Sequence, residues 1–315
     1  MWAAWRARLS RLDLLFEASF MGGMVAAYAV FLWLLPPTDV VVILVAKTES
    51  VTFEVADAGR AAFRVTGMRL GGRDGACRDG VVTPRAGSRV EYRRGGPDYF
   101  HITVNPAGGE TEAVELIEPG AAEGTPMRGS VVFSAEGCPG TPAAIYPVAG
   151  PAQFGEPARS VDGTGRITPG ALGSGAVSVF ARSHARLLGF TFPRLIYRVT
   201  SFDLPPGSRL STLEQGVGAE DTTWLGSLRV GASQDGFTVE ASTSARRLRL
   251  DLSGAASPDN AGNLVDLGSY PQFLNDPNLI VLQFIWGGLI AVFHFTRPFL
   301  TGLRARQDSP TSEAD

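Results

Sequence analysis

The stretch that decides the fold is VVVILVA, at residues 40–46, with SVTFEVA close behind it at residues 50–56. The first segment is a continuous apolar run with the length of a buried strand. In the second segment, Val51, Phe53 and Val55 alternate with more polar residues, which is the two-residue period of a strand with one buried face. The two segments therefore predict a pair of strands at the start of a β domain.

Similar short segments continue along residues 38–276, separated by clusters of Gly, Pro, Asn and Asp that are typical of turns. They are AAFRVTGMRL, RVEYRR, YFHITV, AVELI, SVVFSA, AVSVFA, LIYRVTSFDL, GFTVEA and RLRLDL. This spacing predicts antiparallel sheets packed as a β-sandwich or a jelly roll. Residues 139–175 are rich in Pro, Gly and Ala, so they are either an ordered crossover or the join between two β subdomains.

Two long apolar runs bracket this region, at residues 18–35 and 279–296. At 1.5 Å per residue, each run covers roughly the 30 Å of a bilayer core. Pro36-Pro37 ends the first run, and Asn275-Asp276-Pro277 is a helix-start signal before the second. We therefore predict two transmembrane helices. The alternatives are a cleavable signal peptide for the first run and a buried core helix for the second.

Arginines lie on the outer flank of each apolar run, which sets the predicted orientation. Under the positive-inside rule, segments 1–17 and 297–315 are cytoplasmic and residues 38–276 are periplasmic or extracellular, in a two-pass protein of a bacterial inner (plasma) membrane. These arginines are Arg6, Arg8, Arg11, Arg297, Arg304 and Arg306.

The N-terminal segment has the helical spacing of an amphipathic surface helix, with apolar residues at Trp2, Trp5, Leu9, Leu12 and Phe16. We interpret it as an interfacial anchor for the first span. A docking site for a cytoplasmic partner is the alternative. The C-terminal tail ends in the polar stretch QDSPTSEAD.

Only two cysteines occur, Cys77 and Cys138, and both fall in the predicted extracytoplasmic region. In an oxidising compartment they predict a disulfide, which closes a loop worth about 4 kcal/mol in the chain-entropy model. A metal pair is the alternative, although two thiols without further ligands make a poor zinc site. The net charge is −3, so the chain has no basic field for nucleic acid.

The sequence contains none of the common catalytic motifs, and we therefore predict a non-enzymatic protein without a cofactor or metal. Of the three histidines, His101 lies in a strand pattern, His184 in the polar stretch ARSHAR that we expect to be exposed, and His294 in the second apolar run. A Ser-His-Asp set formed only in space stays open. An oxygen-rich loop is interpreted as a solvated turn, with calcium binding as the alternative; its residues are Asp259, Asn260, Asn263 and Asp266.

Glu17 and His294 are the ionisable residues in the two apolar runs, at similar predicted depth. They form either an intramembrane polar pair or two separate interfacial anchors, and we favour the anchors. Small residues on each run predict close helix packing, within one chain or between copies. These residues are Gly22, Gly23, Ala26, Gly287, Gly288 and Ala291.

Three functions follow from this organisation, and we rank them. The first is a non-enzymatic envelope membrane protein whose β domain binds a protein or glycan partner, as a subunit of a membrane complex. The second is a subunit of a transport, channel or pore-forming assembly that uses the two helices and forms a homo-oligomer. An envelope hydrolase comes third.

Overall fold

The computed structural model describes residues 38–71, 75–94, 100–136, 138, 145–156, 172–184, 186–187, 190–212, 222–230, 236–251, 263–266, 272 and 274–307, together with 19, 22, 23, 26 and 30. The chain divides into two compact units. One comprises residues 39–181 and 198–271, and contains most of the strands. The other comprises residues 1–38, 182–197 and 272–315.

Twenty strands and two helices have described bounds. The strands are β1 (Val40–Thr48), β2 (Ser50–Glu54), β3 (Phe63–Leu70), β4 (Cys77–Pro84), β5 (Arg89–Arg94), β6 (Phe100–Asn105), β7 (Glu112–Ile117), β8 (Thr125–Arg128), β9 (Val131–Ser134), β10 (Ile145–Gly150), β11 (Ala152–Phe154), β12 (Leu172–Arg182), β13 (Arg186–Leu187), β14 (Phe190–Thr191), β15 (Ile196–Leu204), β16 (Arg209–Ser211), β17 (Trp224–Val230), β18 (Phe237–Thr243), β19 (Arg247–Asp251) and β20 (Asn263–Asp266). The helices are α1 (Ala58–Ala61) and α2 (Pro277–Gln307).

The strands form two large sheets and one small hairpin. Sheet A has six strands in the order β10-β17-β18-β1-β12-β15, and sheet B has twelve in the order β20-β19-β16-β11-β2-β5-β6-β9-β3-β4-β7-β8. Strands β13 and β14 pair separately. The described pairings are antiparallel, which confirms the predicted fold class in its coarser form, a β-sandwich-like domain.

The chain passes from sheet A to sheet B at short corners. Strand β1 leads into β2 through Glu49 alone, and β10 leads into β11 through Pro151. The second corner requires glycine, because Gly150 has a φ of 154° and a Cβ there would lie 1.7 Å from the carbonyl oxygen of Glu54. Residues 139–175 contain β10, β11 and the start of β12, and β1 pairs with β18, which follows that stretch.

Aromatic side chains from both sheets meet in the core. Tyr146 of sheet A lies 5.8 Å from Phe63 and 5.6 Å from Tyr92 of sheet B, measured between ring centroids. The Tyr92 hydroxyl donates to the carbonyl of Pro147 at 2.9 Å, so the polar end of this buried ring is satisfied. Phe154 and Trp224 form a second edge-to-face pair at 5.1 Å.

The predicted disulfide is confirmed. Cys77 and Cys138 are bonded, with their Cα atoms 5.8 Å apart. Cys77 pairs with Arg69 of β3, and Arg69 also pairs with Ser134 of β9. The bond therefore ties strand β4 to the segment that follows β9, across the strand between them.

Helix α2 begins at Pro277, where the Asn-Asp-Pro signal predicted a helix start, and continues past Arg297-Pro298 to Gln307. Over the part of the chain that the structure describes, no helix is both long enough and apolar enough to cross a membrane. Most of the first apolar run lies outside that part. The two transmembrane helices are therefore unsupported by the structure and stay predictions.

Candidate functional site

The outer face of sheet A is apolar along β1. Residues of this strand alternate strictly between buried and exposed. Val41, Ile43 and Val45 keep 45%, 39% and 48% of their surface exposed. The run VVVILVA has the length of a buried strand, but only one face of this strand is buried. The strand buries only its even-numbered side chains, and the odd-numbered ones form an aliphatic row on the surface.

The neighbouring strands widen this row. Ile43 pairs with Ser178 of β12 and with Ser242 of β18, and Ser242 pairs in turn with Leu225 of β17. Directly paired residues project from the same face of a sheet, and Leu225 is 39% exposed. We call this surface, centred on Val41, Ile43, Val45 and Leu225, the sheet A face.

Opposite charges stand at the two ends of the row on β1. Asp39 is exposed immediately before the strand, and Lys47 is exposed near its far end. Strand alternation projects Asp39, Val41, Ile43, Val45 and Lys47 to one side. Their order is acid, three aliphatic residues, base, and the pattern is centred on Ile43.

The outer face of sheet B is polar by contrast. The Nε atom of Arg93 lies 2.9 Å from Oε1 of Glu91, and a terminal nitrogen of the same guanidinium bonds Glu156. His101 is paired with Arg93 across β5 and β6. Burial lowers the pKa of His101, Glu91 raises it and Arg93 lowers it further, so that the net shift is downward. The outer face of sheet B is therefore hydrophilic.

A cleft of about 390 Å³ also opens on sheet B. Glu54 and Arg89, which pair across β2 and β5, give it one acid and one base. The cleft is lined by Glu54, Gly87, Arg89, Pro106, Ala107, Gly108 and Gln153. Such mixed donors and acceptors match the hydroxyl groups of a polar ligand.

In the other unit, a buried carboxylate organises the start of α2. One oxygen of Asp276 accepts from the backbone N–H of His184 at 2.9 Å and contacts its Nδ1 at 2.7 Å. The other oxygen accepts from the backbone N–H of Asn278 at 2.8 Å, as a helix N-cap does. Asp276 is fully buried and His184 is 8% exposed, so the expectation that His184 lies in a solvated stretch is wrong.

Asn278 continues the network. Its side-chain amide donates to the carbonyl of His184 at 2.8 Å, to the carbonyl of Pro193 at 2.9 Å and to the Ser183 hydroxyl at 3.1 Å. The Ser183 hydroxyl also bonds the Pro193 carbonyl and accepts from the N–H of Leu195. Ser183 therefore belongs to a hydrogen-bonded network between residues 183–195 and the first turn of α2, which we call the clamp. Its hydroxyl bonds two backbone groups in this network.

The hydrogen bonds around Asp276 stabilise its charged form. Burial alone would raise the pKa of this carboxyl, but the side chain and backbone of His184 and the backbone of Asn278 more than offset it, so the pKa is lowered. Nearby, the Tyr197 hydroxyl donates to the carbonyl of Gln272 at 2.8 Å, and burial together with Asp276 raises the pKa of Tyr197. The network clamps the helix start and keeps a negative charge there, which the helix dipole favours.

The structure describes only some of the residues that were predicted to lie in the membrane. Glu17 lies outside the described residues, and His294 belongs to α2 with its side chain outside them, so their pairing stays a prediction. Gly22 and Gly23 are helical and exposed, as are Gly287 and Gly288. A Cβ built at any of these four glycines would meet no described atom within 4 Å. Close packing through them, and through Ala26 and Ala291, stays a prediction.

In the oxygen-rich loop, Asn263 and Asp266 form the ends of strand β20, whereas Asp259 and Asn260 lie outside the described residues. The calcium alternative therefore stays a prediction.

Sequence reasoning missed the two features that the structure brings out. The sheet A face had a signal, because VVVILVA is apolar at every position whereas a strand with one buried face needs only alternate apolar residues. Only one side of the clamp was indicated by a sequence pattern, since Asp276 was identified as part of a helix-start signal. Its partner His184 lies about ninety residues earlier in the chain, and no local pattern joins the two.

Comparison of the chain with models of protein families, with curated proteins and with solved structures found no match.

Proposed function

We propose that this chain is a non-enzymatic envelope membrane protein whose β domain binds a protein partner on the non-cytoplasmic side of a bacterial inner membrane. The observation that carries the proposal is the sheet A face, a row of aliphatic side chains on the outside of a folded sheet. Contiguous apolar surface of this kind on a well-formed domain marks interaction sites. The proposal assigns the partner to this face.

A protein partner suits this face better than a glycan does. Val41, Ile43 and Val45 offer no hydrogen-bonding group, and the hydroxyl groups of a sugar placed against them would lose their bonds to water. Aliphatic side chains of another protein would lose nothing of this kind. A glycan would be better matched by the polar cleft around Glu54 and Arg89.

The surface of α2 supports anchoring in the membrane. Large apolar side chains of this helix are exposed from Val281 onward, and Phe284 and Phe295 keep 78% and 75% of their surface accessible. At about 100° per residue the exposed apolar side chains fall on one face of the helix, which would contact lipid in the proposed anchor. The others are Ile285, Leu289 and Val292. We propose that residues 18–35 and 279–296 are the two anchors.

The disulfide supports the location of the β domain. Bonds such as Cys77–Cys138 form and persist in oxidising compartments, including the bacterial periplasm. The arginines that flank the apolar runs support the same side, because they favour cytoplasmic termini.

Thiol labelling tests the proposed topology. The only two cysteines of the chain are bonded to each other, so an introduced cysteine is the only thiol that the reagent can label. A membrane-impermeant maleimide is expected to label Ala121→Cys, which is exposed before β8, in cells with a permeabilised outer membrane. The same reagent should leave Ser309→Cys unlabelled until the inner membrane is opened.

The two variants control each other, because both must label fully in detergent. Labelling of Ser309→Cys before Ala121→Cys would reverse the orientation and remove the β domain from the envelope. Equal labelling of both variants in spheroplasts with an intact inner membrane would contradict anchoring by two spans.

A further inference from the structure

The sheet A face has the chemical pattern of a surface that binds a copy of itself. Along β1 the outward residues run Asp39, Val41, Ile43, Val45 and Lys47. The relevant two-fold axis passes over Ile43, lies parallel to the plane of the sheet and runs perpendicular to the strand. Rotation by 180° about this axis sets Val41 of one copy opposite Val45 of the other, and Asp39 opposite Lys47. Two copies related by this rotation bring aliphatic side chains onto aliphatic side chains and each acid onto a base.

We propose that the sheet A face is a homodimer interface, in which two copies pack face to face about a two-fold axis at Ile43. The proposal rests on the proposed function, since it names the protein partner of that face as a second copy of this chain. A two-fold interface must be complementary to itself. A row with one acid at one end and one base at the other meets this requirement, whereas a row ending in like charges would not.

Leu225 of β17 and two residues of β12 fit the same operation. Leu225 of β17 lies in the same row across the sheet as Ile43, through Ser242 of β18, so the axis brings Leu225 of each copy opposite Leu225 of the other. On β12, Phe180 pairs with Val41 and Ala176 pairs with Val45. The axis therefore sets the large ring of Phe180 against the small side chain of Ala176 in the second copy.

The size of the face agrees with a stable dimer. Six strands spaced about 4.8 Å apart give a width of roughly 25 Å, and the strands of sheet A, which range from six to eleven residues, are on average roughly 27 Å long. The product for the whole sheet is about 680 Å² per copy, somewhat below the roughly 800 Å² that each partner buries in a standard interface. Aligned sheets pack about 10 Å apart, the distance at which such side chains interdigitate.

Cysteine crosslinking of the full-length chain in native membranes tests the contact at the axis. Ile43→Cys is expected to give a disulfide-linked dimer of this chain on mild oxidation, because the axis brings the two introduced thiols together. The matched control is Ile117→Cys on β7 of sheet B, which is similarly exposed at 37% and should stay monomeric. Equal crosslinking of both variants would overturn the proposal.

A charge swap tests the register. Asp39→Lys or Lys47→Asp alone sets like charges against each other, and either is expected to weaken the dimer about tenfold at low salt. The double variant Asp39→Lys/Lys47→Asp restores opposite charges and should recover the affinity to within about twofold. Sedimentation of the purified chain in detergent measures all four forms, and failure of the double variant to recover would overturn the two-fold arrangement.

A further pair of substitutions and the crosslinking outcomes distinguish failure of the homodimer from failure of the proposed function. Ile43→Lys is expected to abolish the dimer, and Ile117→Lys should leave it unchanged, with both variants retaining the Cys77–Cys138 bond on a non-reducing gel. If a photoreactive crosslinker attached to the thiol of Ile43→Cys instead captures only a different protein, the homodimer is overturned and the binding function of the face stands. If this crosslinker captures no protein, both are overturned.

Discussion

Replacing Cys77 and Cys138 together by serine is expected to lower the free energy of unfolding of the β domain by about 4 kcal/mol. The bond closes a loop with a sequence separation of 61 residues, and its loss restores conformational freedom to the unfolded chain. It also removes a tie across β3, between β4 and the segment after β9. The midpoint of thermal unfolding should fall by about 10 °C for a domain of this size.

The change in tryptophan fluorescence as the fully buried Trp224 becomes exposed follows this transition in detergent-solubilised protein. Reductant provides the internal control, because it should destabilise the wild-type chain to the level of the double variant and leave that variant unaffected. Identical unfolding of the oxidised wild type and the double variant would mean that the bond does not constrain the domain.

The second large effect is expected at Asp276. Replacing it by alanine removes the acceptor for the backbone and ring N–H groups of His184 and for the N–H of Asn278, all in a buried setting. Unpaired buried donors of this kind make the loss about 3 kcal/mol. The clamp between residues 183–195 and the first turn of α2 should then open locally, and the amides of Leu195 and Ile280 should exchange faster with solvent.

Hydrogen exchange followed by mass spectrometry measures this opening. Asp276→Asn keeps one acceptor oxygen without the charge and should give an intermediate effect. Leu274→Ala, at an exposed position two residues earlier, is the matched control and should leave exchange in the clamp unchanged. Exchange in Asp276→Ala at the control level would contradict a role for the carboxylate in fixing the helix start.

The same carboxylate gives a pH dependence of known sign. The pKa of Asp276 is lower in the folded chain than its ordinary value of 3.8, so the ionised carboxyl stabilises the folded state. This contribution is fully present above about pH 4 and is lost as the pH falls toward the lowered pKa. Clamp opening should therefore increase on acidification in the wild-type chain, and Asp276→Ala should lack that component.

Many strands could be predicted from the sequence because their alternation is local. RVEYRR is β5 over its full length, and VVVILVA lies within β1. The strands that escaped notice contain residues that weaken the signal: Gly80 in β4, Pro147 in β10 and Gly226 in β17. Their partners override the propensity, as β17 does by pairing with β10 on one side and β18 on the other.

The candidate site was less accessible to sequence reasoning. An apolar residue in a strand pattern indicates burial, and nothing along the chain says which of two apolar faces the fold will cover. Ile43 became recognisable as a surface residue only when its neighbours across sheet A were known. The contact between His184 and Asp276 was missed for a similar reason, because a contact between distant segments leaves no periodic pattern in the sequence.

The position of β1 at the centre of sheet A has a consequence for how the domain is made. Its partners are β12, which begins at Leu172, and β18, which ends at Thr243. A chain that emerges N-terminus first therefore carries VVVILVA through more than a hundred residues of synthesis before a partner strand exists. Such distant pairing folds slowly, and an uncharged run of this β-propensity aggregates readily while it waits. We therefore expect the strand that forms the sheet A face in the finished domain to need protection from aggregation during biogenesis.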